Sequence, residues 1–215
     1  MYPWTSKSLP PQSCLTRSCC LSAIRRIEVL ENNQVVPLVP EAPLLSSAHI
    51  PWEGVLLEEH SMASQETQLR QPRNVFLALH TGASIRQEWR CDGKFHTTLT
   101  ATGSVHLLTP GPEHSLAHRD PLDHIVLSFE PSYIHRALED SRGSENIELM
   151  ERYALEDPQI ERLIRALHDE TKAGAPTGRL FGESIVTALA VYLARRHSSS
   201  SLAVDSYRGG MPKHA

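Results

Sequence analysis

Between Gly54 and Phe129 the chain is cut into short runs. Gly54–Glu59, Val75–His80, Ser84–Arg90, Lys94–Thr100, Val105–Thr109, Ser115–His118 and His124–Phe129 are each 4–7 residues long. Gly, Pro, Asp and Thr separate them at the spacing of about 8–12 residues typical of sandwiches and barrels. After Phe129 the apolar period changes from two to 3.6. Pro131 opens a short helix presenting Ile134, Ala137 and Leu138, and a second short helix is expected from Glu145 to about Tyr153. Asp157-Pro158 then supplies an N-cap and a first-turn proline ahead of Ile160, Leu163, Ile164 and Leu167. Beyond the Gly174–Gly178 break, a longer helix from Arg179 to His197 places Phe181, Ile185, Ala188, Leu189, Tyr192 and Leu193 on one stripe. Strands first and helices after is the α+β order: a closed barrel with a helical appendage.

The turn Cys91-Asp92-Gly93 sets the register of the clearest hairpin. As a two-residue turn, Asp92-Gly93 would set Trp89 against His96 and Arg86 against Leu99, mixing apolar and charged faces. A three-residue loop with Gly93 left-handed instead pairs Trp89 with Phe95, Gln87 with Thr97 and Ile85 with Leu99. Because the buried face sets register, the second arrangement is expected. Its inward stripe, Ile85, Gln87, Trp89, Phe95, Thr97 and Leu99, combines two aromatic rings with one amide and one hydroxyl. Such a lining suits a pocket for a small effector with both polar and apolar parts.

Residues 1–50 differ from the rest, being rich in Pro and Ser and without an acidic residue before Glu28. Arginines interrupt every candidate apolar run, so no secretory signal is expected, and the segment reads as a poorly ordered preface. The remaining divisions are a barrel over 54–130, a helical segment over 131–197 and a flexible tail over 198–215. Four cysteines (Cys14, Cys19, Cys20, Cys91) form neither a disulfide framework nor a zinc spacing, which fits reduced thiols in the cytoplasm. No stretch is long and apolar enough for a membrane span.

Chemistry-bearing motifs are sparse. No GxSxG, GxGxxG or GxxxxGK[ST] is present, and the acidic doublets read as solvated faces, so no enzyme activity and no catalytic residue is expected. Seven histidines fall in the strand region, but no HxH occurs, and Glu113 would point away from His114 in an extended segment. They read as scattered surface or core-edge residues, with neither a metal nor another cofactor. Between Glu156 and Arg196 six acidic residues balance six basic ones, and the net charge of the whole chain is -4. Such a surface offers no footprint for phosphates, so direct DNA binding is not expected.

Several segments together resemble the AraC/XylS regulators. They are Phe76–His80, Arg90–Lys94, and Gly103–Gly111 followed by His114; then Leu155–Leu163, Gly178–Ser184 running into Ala188–Leu193, and Tyr207–Pro212. The resemblance spans about residues 54–215. It implies a cupin-like (double-stranded β-helix) barrel that takes a small effector, followed by helices that join two subunits into a homodimer. Phe181, Ile185, Leu189, Tyr192 and Leu193 are the dimerisation candidates. In that family a linker like Tyr207–Pro212 leads to a helix-turn-helix domain, whereas this chain stops at Ala215. The expectation is therefore an effector-sensing portion of a truncated or separately encoded regulator. The rival is a metal-dependent cupin enzyme, a dioxygenase or isomerase.

Overall fold

The computed structural model describes residues 25–91, 93–138 and 148–199. In chain order the strands are β1 (Glu28–Glu31), β2 (Gln34–Pro37), β3 (Leu45–Ser46), β4 (Val55–Met62), β5 (Gln65–Glu66), β6 (Gln71–Pro72) and β7 (Val75–His80). They continue with β8 (Ile85–Cys91), β9 (Lys94–Thr100), β10 (Val105–Leu108), β11 (His114–His118), β12 (Leu122–Phe129) and β13 (Arg152–Leu155). The helices are α1 (Ser132–Leu138), α2 (Pro158–Lys172) and α3 (Arg179–Arg196). Among the described residues all pairing is antiparallel, in three sheets ordered β2-β1-β6, β13-β10-β7-β12-β4-β3 and β5-β11-β8-β9. The fold is the α+β class expected from the order of strands and helices.

The six-stranded sheet is buried on both faces, which is why its strands read as near-continuous apolar runs. One face carries Val55, Leu57, Val75, Leu77, Leu79, Val105, Leu107, Ile125, Leu127 and Phe129. These residues form one core with Ile160, Ile164 and Leu167 of α2 and Val186, Leu189 and Leu193 of α3. The alternate residues of the same strands, among them Phe76, Ala78, Val126 and Leu108, form a second apolar cluster with the N-terminal segment. Helix α2 begins as its sequence dictates: the Asp157 side chain accepts from the N–H groups of Gln159 and Ile160, with Pro158 in the first turn.

Four expectations are corrected. Residues 25–50 are not a loose preface: Ile27, Val29, Val39 and Ile50 are buried and β1 pairs with both β2 and β6. The prolines there end short strands and do not prevent them, while residues 1–24 and the tail from 200 lie outside the described residues. In place of a helix ending near Tyr153, residues 152–155 form strand β13 on the edge of β10, with Ala154 in a left-handed conformation at φ 47°; residues 145–147 of that expected helix lie outside the described residues.

The hairpin adopts the two-residue register: Cys91 opposes Lys94, Trp89 opposes His96, Gln87 opposes Thr98 and Ile85 opposes Thr100. Gly93 supplies the positive φ of the turn at 75°, and Asp92 lies outside the described residues. The apolar-inward rule loses here because β9 is an edge strand whose inner face must satisfy polar partners. Thr100 donates to Gln87, and the His96 ring stacks on Trp89 at 4.0 Å between centroids. On the outer face the Arg90 guanidinium covers Phe95 at 5.2 Å.

The apolar stripe of α3 is also rotated from its expected position. Its buried residues are Gly182, Val186, Leu189, Ala190, Leu193 and Ala194, whereas Ala188 is exposed and Phe181, Ile185 and Tyr192 are half-buried. Leu189 and Leu193 therefore belong to the chain's own core. The side chain of Ala137 on α1 lies outside the description. Among the described residues no helix is long and apolar enough to cross a membrane.

Candidate functional site

Inside the barrel lies a cavity of about 140 Å³. Phe76, Ala78, His80, His106, Leu108, His124 and Val126 line it from the six-stranded sheet, and Gln87, Trp89, His114 and Leu116 from the four-stranded one. Val29, Leu38 and Met62 close one side, and Tyr153 of β13 contributes a ring to another. The lining is mostly apolar with a few polar groups, the usual composition of a small-ligand site.

Of the six residues expected to face a pocket, Gln87 and Trp89 line this cavity. Ile85 is buried nearby, packed with Val39, Met62 and Leu122. Phe95 and Leu99 lie on the opposite face, 79% and 68% exposed, and Thr97 is exposed beside them. The one-residue change of register moved all three outward.

The histidines are gathered rather than scattered. His60, His124 and His80 stand opposite one another on β4, β12 and β7 and form a row across the sheet, with the His60 and His124 rings 5.5 Å apart. His60 Nε2 contacts the buried Glu58 carboxylate at 3.1 Å, and Glu58 also accepts from Arg26. His124 Nδ1 and His118 Nε2 are buried without a hydrogen-bond partner. A search for HxH within one strand misses this row, because its members are cross-strand neighbours.

Burial, and secondarily the neighbouring His80, pushes His106 down to about 4. Burial followed by the surrounding His60, His106, His80 and His118 pushes His124 down to about 3. Both rings are neutral at pH 7. The tautomer of His106 follows from its partners: Nε2 donates to Gln87 Oε1 at 2.9 Å, and Nδ1 accepts the Ala154 N–H at 3.4 Å. Arg70, the cationic side chain on the cavity wall, is neutralised by Glu31 and also donates to the Leu38 carbonyl.

One corner of the wall is built differently. The Trp89 and Tyr153 rings stack at 3.4 Å between centroids and 8° between planes. The Tyr153 hydroxyl lies 2.6 Å from His114 Nδ1, and His114 Nε2 lies 3.0 Å from Glu151 Oε1. Cys91 Sγ stands 3.7 Å from Glu151 Oε2. Burial alone would raise the Glu151 carboxyl, but contact with and attraction to His114, with hydrogen bonds from the Thr109 N–H and hydroxyl, hold it below its ordinary value. Sequence reasoning missed Glu151 and Tyr153, which a helix over 145–153 would have carried away from the barrel.

Comparison with known proteins places residues 85–190 under the family model "AraC-like ligand binding domain". No curated protein matches the chain. Among solved structures, a vicilin from Solanum melongena is similar at 13% identity with a TM-score of 0.32, over 37% of this chain and 22% of that one. A cupin-like protein from Thermotoga maritima has 14% identity and a TM-score of 0.35, over 42% of this chain and 68% of that one. A cupin domain from Bordetella pertussis Tohama I has 12% identity and a TM-score of 0.34, over 49% and 97%. The chain thus spans about a fifth of the vicilin's length.

Proposed function

We propose that this protein, whose residues 85–190 match the family model of an AraC-like ligand binding domain, is the effector-sensing and dimerising portion of an AraC-like transcription regulator. The observation that supports this reading is the partly open, largely apolar cavity with a fixed Gln87–His106 pair on its wall. At about 140 Å³ it is close to the size that holds one benzene-sized ring. Neutral His106 and His124 and a compensated Arg70 leave no uncompensated charge among these groups to meet an ion. The effector this lining suits is a small, ring-sized molecule with one or two hydrogen-bonding groups, held between Phe76, Val126 and Trp89 and read by Gln87. A second copy of the chain would meet α3 through Phe181, Ile185 and Tyr192.

A thermal-shift screen of small neutral metabolites tests the reading. At about 100 times its dissociation constant a true effector stabilises by about 2.7 kcal/mol, a rise of about 5–10 °C for a chain of this size. Ala78→Leu, which fills the cavity, abolishes that rise. A compound that stabilises the wild type and Ala78→Leu equally does not bind in the cavity, and the reading then fails.

A further inference from the structure

We propose that Cys91, His114 and Glu151 form a binding site for a zinc-class divalent cation at the edge of the barrel cavity, independently of the effector reading. Cys91 ends β8 and His114 begins β11, and the two are direct cross-strand partners. Glu151 reaches them from the residue just before β13. The three donor atoms lie within 4.8 Å of one another. Tetrahedral zinc with bonds of about 2.0–2.3 Å sets its donors roughly 3.3–3.6 Å apart. His114 Nε2 stands 3.0 Å from Glu151 Oε1 and Cys91 Sγ 3.7 Å from Glu151 Oε2, so small side-chain adjustments bring one donor from each residue to that spacing.

The surrounding groups orient the donors. Tyr153 holds His114 Nδ1 at 2.6 Å, which leaves Nε2 as the ligating nitrogen. Thr109 fixes the Glu151 carboxylate through its N–H at 3.2 Å and its hydroxyl at 3.3 Å. Independently, His114 is 8% exposed, and its buried Nε2 has no partner other than the 3.0 Å contact with Glu151 Oε1. A buried imidazole nitrogen aimed between a thiol and a carboxylate is a ligand position.

The donor set names the ion class. Calcium and magnesium take oxygen ligands, whereas one sulfur, one imidazole nitrogen and one carboxylate oxygen suit zinc. Cys91 binds as the thiolate and releases its proton on coordination. Three protein ligands leave a fourth position for water or a small molecule.

The test uses the full chain, stripped with chelator and titrated with zinc by equilibrium dialysis and with cobalt(II) by absorption. The expected result is one zinc per chain and, with cobalt, a near-ultraviolet thiolate-to-metal charge-transfer band. Cys91→Ser removes the band, and serine at Cys14, Cys19 and Cys20 leaves it. Tyr153→Phe keeps all three ligands and weakens zinc by about 10–100-fold. If Cys91→Ser does not fold, Glu151→Gln gives the same reading through its loss of zinc affinity. A band that survives Cys91→Ser, zinc lost on His124→Ala instead, or a wild-type cobalt spectrum without the band overturns the proposal.

Discussion

The backbone of Gly182 rests directly on the indole of Trp52: a Cβ added to this glycine would stand 2.2 Å from Trp52 Cε2 and 2.4 Å from Nε1. Trp52 is itself fully buried in the core shared by sheet and helices, so the ring has nowhere to retreat. Gly182→Ala therefore lifts α3 off the barrel. Overpacking of this kind costs about 1–3 kcal/mol, which lowers Tm by roughly 2–12 °C. The double variant Trp52→Leu/Gly182→Ala recovers part of the loss, and strictly additive costs in thermal denaturation would refute the contact.

Stability falls in mild acid because of the barrel histidines. The unfolded chain takes up protons at the ordinary histidine value of 6.5, but His106 resists until about 4 and His124 until about 3. Between these values the unfolded state binds more protons, so the stability present above pH 6.5 is lost as the pH falls. From pH 7 to 5 the pair contributes a loss of about 2–4 kcal/mol. Urea midpoints at the two pH values measure it, and His106→Gln reduces the difference by about half. Equal midpoints would show that the rings are not held neutral.

Phe95→Ser and Leu99→Ser leave stability within about 0.5 kcal/mol of the wild type, because both side chains face solvent from the edge strand. In the alternative register both would face the barrel interior, and Phe95→Ser would cost about 3–5 kcal/mol. Chemical denaturation of the two variants distinguishes the registers directly.

Asp157→Ala removes more than a helix cap. The carboxylate accepts the Tyr192 hydroxyl at 2.9 Å and lies 3.4 Å from His197 Nε2, in addition to capping α2. Loss of the cap costs about 0.5–2 kcal/mol, and the half-buried Tyr192 and buried His197 left without their partner bring the total to about 2–3 kcal/mol. Tyr192→Phe removes one partner alone, and a cost equal to that of Asp157→Ala would show that the cap contributes nothing.

Much of the architecture was legible in the sequence. The runs of β7, β10 and β12 stand out because both faces of that sheet are covered, and Asp157-Pro158 marks the start of α2 within its own residues. The site was harder to read. Gln87 was identifiable as a polar residue on an inward stripe, but Phe95 and Leu99 misled. Phe95 meets only the Arg90 guanidinium, and Leu99 faces solvent on the same edge strand, so their apolar character does not report burial. Tyr153 and Glu151 were hidden because Glu145–Tyr153 carries a helical period, while pairing with β10 is a long-range event. The histidine row exists only once β4, β12 and β7 are in register.

Tyr153, stacked on Trp89 in the cavity wall, and Asp157, the joint that holds α2 to Tyr192 of α3, are four residues apart on one strip of backbone. Ala154 fixes a left-handed bend between them. The wall of the cavity and the joint between the two helices are consequently parts of one short strip of backbone. On the proposed function, a molecule seated against the Tyr153 ring would lie within four residues of the Asp157 joint along the backbone.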